Sequence, residues 1–173
     1  MKNTFQIKAA AFLMFALLFS AVTFAQNKPI ESPRDSVSAV INGATITINY
    51  GSPSVKGRKV FGELEKYGKV WRAGANDATT FETSKAITIE GKQLAAGKYT
   101  FFVIPEKDGK ATVIFNSEAK QWGAYKYDEK KDALRVSIKS KKSAKLNESL
   151  VYKVNKNNVT LSWENLDFPI SVK

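Results

Sequence analysis

The sequence predicts an all-β fold: a single antiparallel β-sandwich, with a jelly roll as one arrangement open to it, broken by a long irregular loop segment over residues 52–80. Three observations carry this expectation. About nine or ten short stretches alternate apolar and polar residues with period two. Turn signals such as Asn42-Gly43 and Asp108-Gly109 stand between them. Helical periodicity is nearly absent, since only Phe61 to Tyr67 reads as a turn or two of helix, with Gly68 as its stop.

Residues 1–25 read as a cleavable signal peptide. Lys2 and Lys8 supply a positive start, Ala9 to Phe19 is unbroken apolar chain, and Thr23 and Ala25 sit at the small-residue positions before a cut. The apolar run falls short of the roughly 20 residues of a spanning helix. No cysteine follows the cut, so a lipoprotein anchor is not available. The expected product is exported to the periplasm or the medium, soluble and not membrane-spanning. Residues 26–34, with Pro29 and Pro33, read as an extended leader into one domain over residues 35–173.

Within that domain Ser36 to Ile41 and Ala44 to Tyr50 form a hairpin across Asn42-Gly43, with Ile46, Ile48 and Tyr50 on one face. Thr79 to Thr83 and Ala86 to Glu90 follow. Lys98 to Ile104 is apolar on both faces, which places it centrally. Pro105 ends it, and Asp108-Gly109 turns the chain into Ala111 to Phe115. Leu134, Val136 and Ile138 alternate with Arg135, Ser137 and Lys139. Ser149 to Val154 and Val159 to Trp163 pair across Asn155 to Asn158, and Phe168 to Val172 closes the domain.

Composition removes whole classes of chemistry. The chain has no histidine and no cysteine, so Ser-His-Asp and Cys-His machinery is excluded, as are metal and haem sites built on imidazole or thiolate. No cofactor is expected. The chain carries 27 Lys and Arg against 16 Asp and Glu. Anionic envelope components suit such a charge, and no nucleic-acid module is visible. The densest basic stretch, Lys130 to Lys145, reads foremost as a solvated edge strand and loop.

Ser52 to Thr80 breaks the strand rhythm, and long irregular segments in compact domains tend to be functional or disordered. Its aromatics and glycines argue for order. Arg58, Tyr67, Trp71, Arg72 and Asn76 are the candidate ligand-binding residues. Arginines grip anions in a fork, an amide donates and accepts, and an aromatic ring stacks on an apolar face. The competing structural reading has Trp71 plugging one end of the sandwich and the arginines satisfying loop carbonyls or carboxylates.

Five blocks carry a family resemblance: Pro53 to Gly62 (PSVKGRKVFG), Trp71 to Asn76 (WRAGAN), Leu94 to Tyr99 (LAAGKY), Trp122-Gly123, and Asp132 to Val136 (DALRV). At these residues the chain resembles a family of bacterial exported proteins catalogued as domain of unknown function 2911. It departs from that pattern at Lys66, where related chains place a proline before the tyrosine. The resemblance implies an exported domain and assigns no catalytic roles.

The leading functional expectation is a non-catalytic envelope binding module for a small or carbohydrate-like ligand. One alternative is a glycan-active enzyme using carboxylates such as Asp77 and Glu82, which must face each other across a groove. Another is a structural or interaction protein of the envelope meeting anionic partners through Lys130 to Lys145.

Overall fold

A computed structural model describes residues 31–173. The expected signal peptide and most of the expected leader lie outside the described residues. Ten strands follow in order: β1 (Arg34–Ile41), β2 (Ala44–Gly51), β3 (Thr80–Thr83), β4 (Ile87–Ile89), β5 (Lys92–Leu94), β6 (Gly97–Pro105), β7 (Lys110–Asn116), β8 (Asp132–Lys139), β9 (Lys141–Val154) and β10 (Asn158–Ser171). A single 3-10 turn, Glu129–Lys131, precedes β8.

The main layer is a six-stranded antiparallel sheet in the order β1-β2-β3-β6-β7-β8. Its first hairpin is built as the Asn42-Gly43 pair dictates. Both turn residues have positive φ, 49° and 80°, which matches the twist of the flanking strands and sets Ile41 opposite Ala44. β6 lies inside this sheet, between β3 and β7. Phe101 and Val103 face the main core, while Phe102 meets Ile114 and Ala78 on the other side. That explains its unbroken apolar run.

The second layer is made of hairpins. β9 pairs with β10, and β4 with β5. The chain end joins them: the Thr88 and Lys173 backbones exchange hydrogen bonds of 2.6 and 2.9 Å. Between the layers sits one aromatic core. Trp71 stacks on Trp163 at 5.7 Å, Phe61 meets both indoles edge-on, and Tyr152 packs against Tyr50 and Phe101.

Three elements differ from expectation. Phe61 to Tyr67 forms turns, because Gly62 takes φ 94° and its N–H bonds forward to the Glu65 carbonyl at 2.8 Å, opposite in direction to a helical bond. The Tyr67 ring lies over that glycine, where a Cβ would come within 2.7 Å of it. Val159 to Trp163 and Phe168 to Val172 are largely one strand, β10, bent by register shifts around Glu164 at φ 52°. The lysine-rich stretch, expected as edge strand and loop, starts in the 3-10 turn at Lys130 and Lys131 and runs on as the edge strand β8 and then as strand β9, which begins at Lys141, two residues after β8 ends.

Candidate functional site

The irregular segment between β2 and β3 is held by backbone hydrogen bonds to distant strands. Val55 donates to Glu148 at 2.7 Å, and Leu150 donates to Pro53 at 2.9 Å, adding a short edge to β9. Trp71 and Val103 exchange two bonds of 2.9 Å. Further on, Ala75 donates to the Gly51 carbonyl at 3.2 Å. This close approach requires a glycine, because a Cβ on Gly51 would lie 2.2 Å from the Ala75 oxygen.

The turn after Trp71 is fixed from the core. Ala73 has φ 52° and is fully buried, a conformation that costs an L-residue energy unless its surroundings hold it. Two hydroxyls do so, as Thr79 Oγ1 and Tyr152 Oη donate to the Ala73 carbonyl at 2.9 and 2.8 Å. Burial pushes the Tyr152 phenol well above its ordinary pKa, which keeps its proton available for that bond.

This scaffold opens a cavity of about 310 Å³ whose lining includes Lys56, Arg58, Glu65, Arg72, Asn76 and Trp163. Three of the five sequence-chosen residues therefore meet in one place. Arg58 follows a turn in which Lys56 and Gly57 both have positive φ. Its Nε and Nη2 donate to the Val55 and Ser54 carbonyls at 2.9 and 2.6 Å, leaving Nη1 as the guanidinium nitrogen without a hydrogen bond among the described residues. Asn76, at φ 62°, donates to the Ser32 carbonyl at 3.3 Å. Arg72 is half-buried, makes no ion pair among the described residues, and has an Nε buried without a partner.

The two aromatic candidates lie elsewhere. Trp71 is only 3% exposed and belongs to the core, and Tyr67 packs on the core edge over Gly62. Neither lines the cavity. Trp163 does, and its Nε1, like that of Trp71, is buried without an acceptor.

Glu65 completes the electrostatics. Burial pushes its carboxyl up to about 7, and the Arg72 guanidinium opposes that rise. Of the remaining charges at the cavity, Lys56 pairs with Glu31 at 3.3 Å. Arg72 thus faces a carboxyl that is close to half-neutral at pH 7, and with Arg58 also in the lining the cavity is net positive. Sequence reasoning did not select Glu65 or Trp163. Glu63, two residues from Glu65, is an exposed partner of Lys59 at 3.5 Å, and nothing local separates the two glutamates.

The other sequence features are dispersed. Asp77 lines a groove with Arg34, Asn49 and Lys98, whereas Glu82 pairs with Lys98 at 3.7 Å and does not line it. The two carboxylates expected of a glycan-active enzyme do not share that groove. In the basic stretch β8 is the sheet edge, and Arg135 pairs with Glu129 and Asp132. Among the described residues no helix is long and apolar enough to cross a membrane.

A family model described as protein of unknown function (DUF2911) matches residues 32–172. No curated protein and no solved structure matches the chain.

Proposed function

The chain belongs to the DUF2911 family, proteins of unknown function, and from that premise we propose that it is an exported, non-catalytic module that binds a small anionic ligand in the cavity between Arg58 and Arg72. One observation carries the reading: a half-buried guanidinium with an unpartnered Nε lines a cavity beside an amide and a carboxyl pushed up to about 7. A carboxylate with neighbouring hydroxyls fits this set. Its oxygens accept from Arg72 and from the free Arg58 nitrogen, and the hydroxyls exchange hydrogen bonds with Asn76 and Glu65. The absence of histidine and cysteine favours binding over turnover. Export rests on the signal-peptide pattern of residues 1–25.

A thermal-shift screen tests the proposal with hydroxycarboxylates, uronic acids and neutral sugars as probes. A ligand at a hundredfold its Kd stabilises the folded state by about 2.7 kcal/mol. The expected result is a shift with hydroxycarboxylates or uronic acids that disappears in Arg72→Ala, with the variant still folded. An equal shift in parent and Arg72→Ala overturns the site. Mass determination of the protein recovered from its producing cells tests export, and retention of residues 1–25 refutes it.

A further inference from the structure

The connection between β7 and β8, residues 117–131, crosses the outer face of the main sheet. There Phe102 and Ile114 are buried with Ala124 and Tyr127 packed against them. The crossing is firmly fixed. Ala78 donates to the Gln121 carbonyl at 3.0 Å, and Gly123 donates to the Asn76 carbonyl at 3.2 Å. The Asn116 amide donates to the Asp128 carbonyl and to Asp132 at 2.9 and 2.8 Å, and the Tyr127 hydroxyl donates to Asp132 at 2.6 Å.

On this fixed segment two large aromatic side chains remain in solvent. Trp122 is 62% exposed and Tyr125 is 84% exposed. The core beneath is closed by Ala124 and Tyr127, so it does not need either ring. With Lys120, Gln121, Lys126 and Lys131 they line a cavity of about 460 Å³, within the range of small-molecule sites. It shares no lining residue with the arginine cavity. Lys131 is engaged by Glu118 at 2.7 Å, whereas no ion pair among the described residues involves Lys120 or Lys126. A second groove, of about 520 Å³, meets the first at Lys120 and Gln121 and continues to Lys98, Asp77 and Arg34. Gln121 is 9% exposed and its Oε1 is buried without a partner.

We propose that Trp122 and Tyr125 form the stacking platform of a second site, which takes an acidic sugar chain whose uronate carboxylates are held by Lys120 and Lys126. A pyranose ring has an apolar C–H face that suits an indole or phenol ring, and a hydroxyl rim that suits amides and carboxylates. In the joined grooves Glu118 is paired with Lys131, Asp77 with Arg34 at 4.0 Å and Lys98 with Glu82 at 3.7 Å, which leaves Lys120 and Lys126 as the lining lysines without an ion pair among the described residues and suits a polymer whose charges are spaced by hydroxyls. A nucleic acid strand, with a phosphate at every step, needs an unbroken positive track and would meet the Glu118 and Asp77 carboxylates.

Acrylamide quenching of tryptophan fluorescence reads this site directly. The chain has three tryptophans, of which Trp71 and Trp163 are 3% and 1% exposed, so the quenchable emission belongs to Trp122. The probes are trigalacturonate, a hyaluronan tetrasaccharide, methyl-esterified trigalacturonate and oligothymidylate. Both uronate chains should shield Trp122, and esterification should weaken binding by about tenfold or more. Tyr125→Ala should lose about tenfold in affinity, and calorimetry on Trp122→Ala should show no binding with an unchanged urea midpoint. A Lys120→Ala/Lys126→Ala variant should bind acid and ester alike. The proposal is overturned if neither uronate shields Trp122 up to about 10 mM, if the aromatic variants bind as the parent does, or if oligothymidylate binds more tightly than either uronate.

Discussion

Replacing Glu65 by Gln should stabilise the protein at alkaline pH and leave it unchanged in acid. The carboxyl is pushed from 4.5 up to about 7, chiefly by burial. The folded protein therefore holds this proton more tightly than the unfolded chain does. Its contribution to stability is fully present below pH 4.5 and is lost as pH rises through about 7. At about 1.4 kcal/mol for each tenfold change in proton affinity, the loss above pH 8 is about 3 kcal/mol. Glutamine keeps the shape and never ionises, so it escapes that loss. Urea unfolding of parent and Glu65→Gln at about pH 4 and about pH 9 measures the effect, because other titrating groups cancel in the difference. With a slope of about 1–3 kcal/mol per molar urea, the variant's midpoint at the higher pH should rise by roughly 1–3 M. Parallel pH profiles, or a variant less stable than the parent at about pH 9, would refute a buried carboxyl held against Arg72.

The remaining predictions separate core from cavity. Trp71→Ala removes a ring stacked at 5.7 Å on Trp163 and should cost about 3–5 kcal/mol in equilibrium unfolding. Ligand assays on that variant would therefore report folding rather than recognition, and a loss under 1 kcal/mol would contradict the core assignment. Tyr152→Phe removes the 2.8 Å hydrogen bond to the Ala73 carbonyl and should cost about 1 kcal/mol. Thr79 continues to satisfy that carbonyl, so amide exchange should accelerate around Ala73 to Ala75 without global unfolding. Unchanged exchange there would mean that Thr79 alone fixes the turn.

Much of the framework was legible because strand signals are local. The Asn42-Gly43 turn carries its own backbone geometry, and the alternation in Thr45 to Tyr50 sets which face is buried whatever lies opposite. Lys98 to Ile104 announced its central place by being apolar on both faces. The failures have equally local causes. Phe61 to Tyr67 has helical composition, but one glycine at φ 94° under a tyrosine ring reverses the chain. The break between Trp163 and Phe168 reads as a loop, because a bulge interrupts period two as a loop does.

The candidate site was half legible, and the division is physical. Residue type marks which side chains suit an anion, so Arg58, Arg72 and Asn76 stood out from the sequence alone. Whether a side chain is free to act depends on partners far along the chain. Trp163 buries Trp71, Tyr152 braces Ala73, and Glu148 anchors Val55 in the turn that aims Arg58, from positions 79 to 93 residues away. The sequence by itself determined an antiparallel β-fold, a basic chain without imidazole or thiol chemistry, and a set of arginines in one irregular segment. Only the tertiary structure decided which of those side chains line a cavity, that Glu65 carries a carboxyl near neutrality, and that Trp122 rather than Trp71 is the tryptophan left in solvent. Periodicity and composition act between neighbours along the chain, whereas burial and electrostatic field are sums over everything the folded chain brings close.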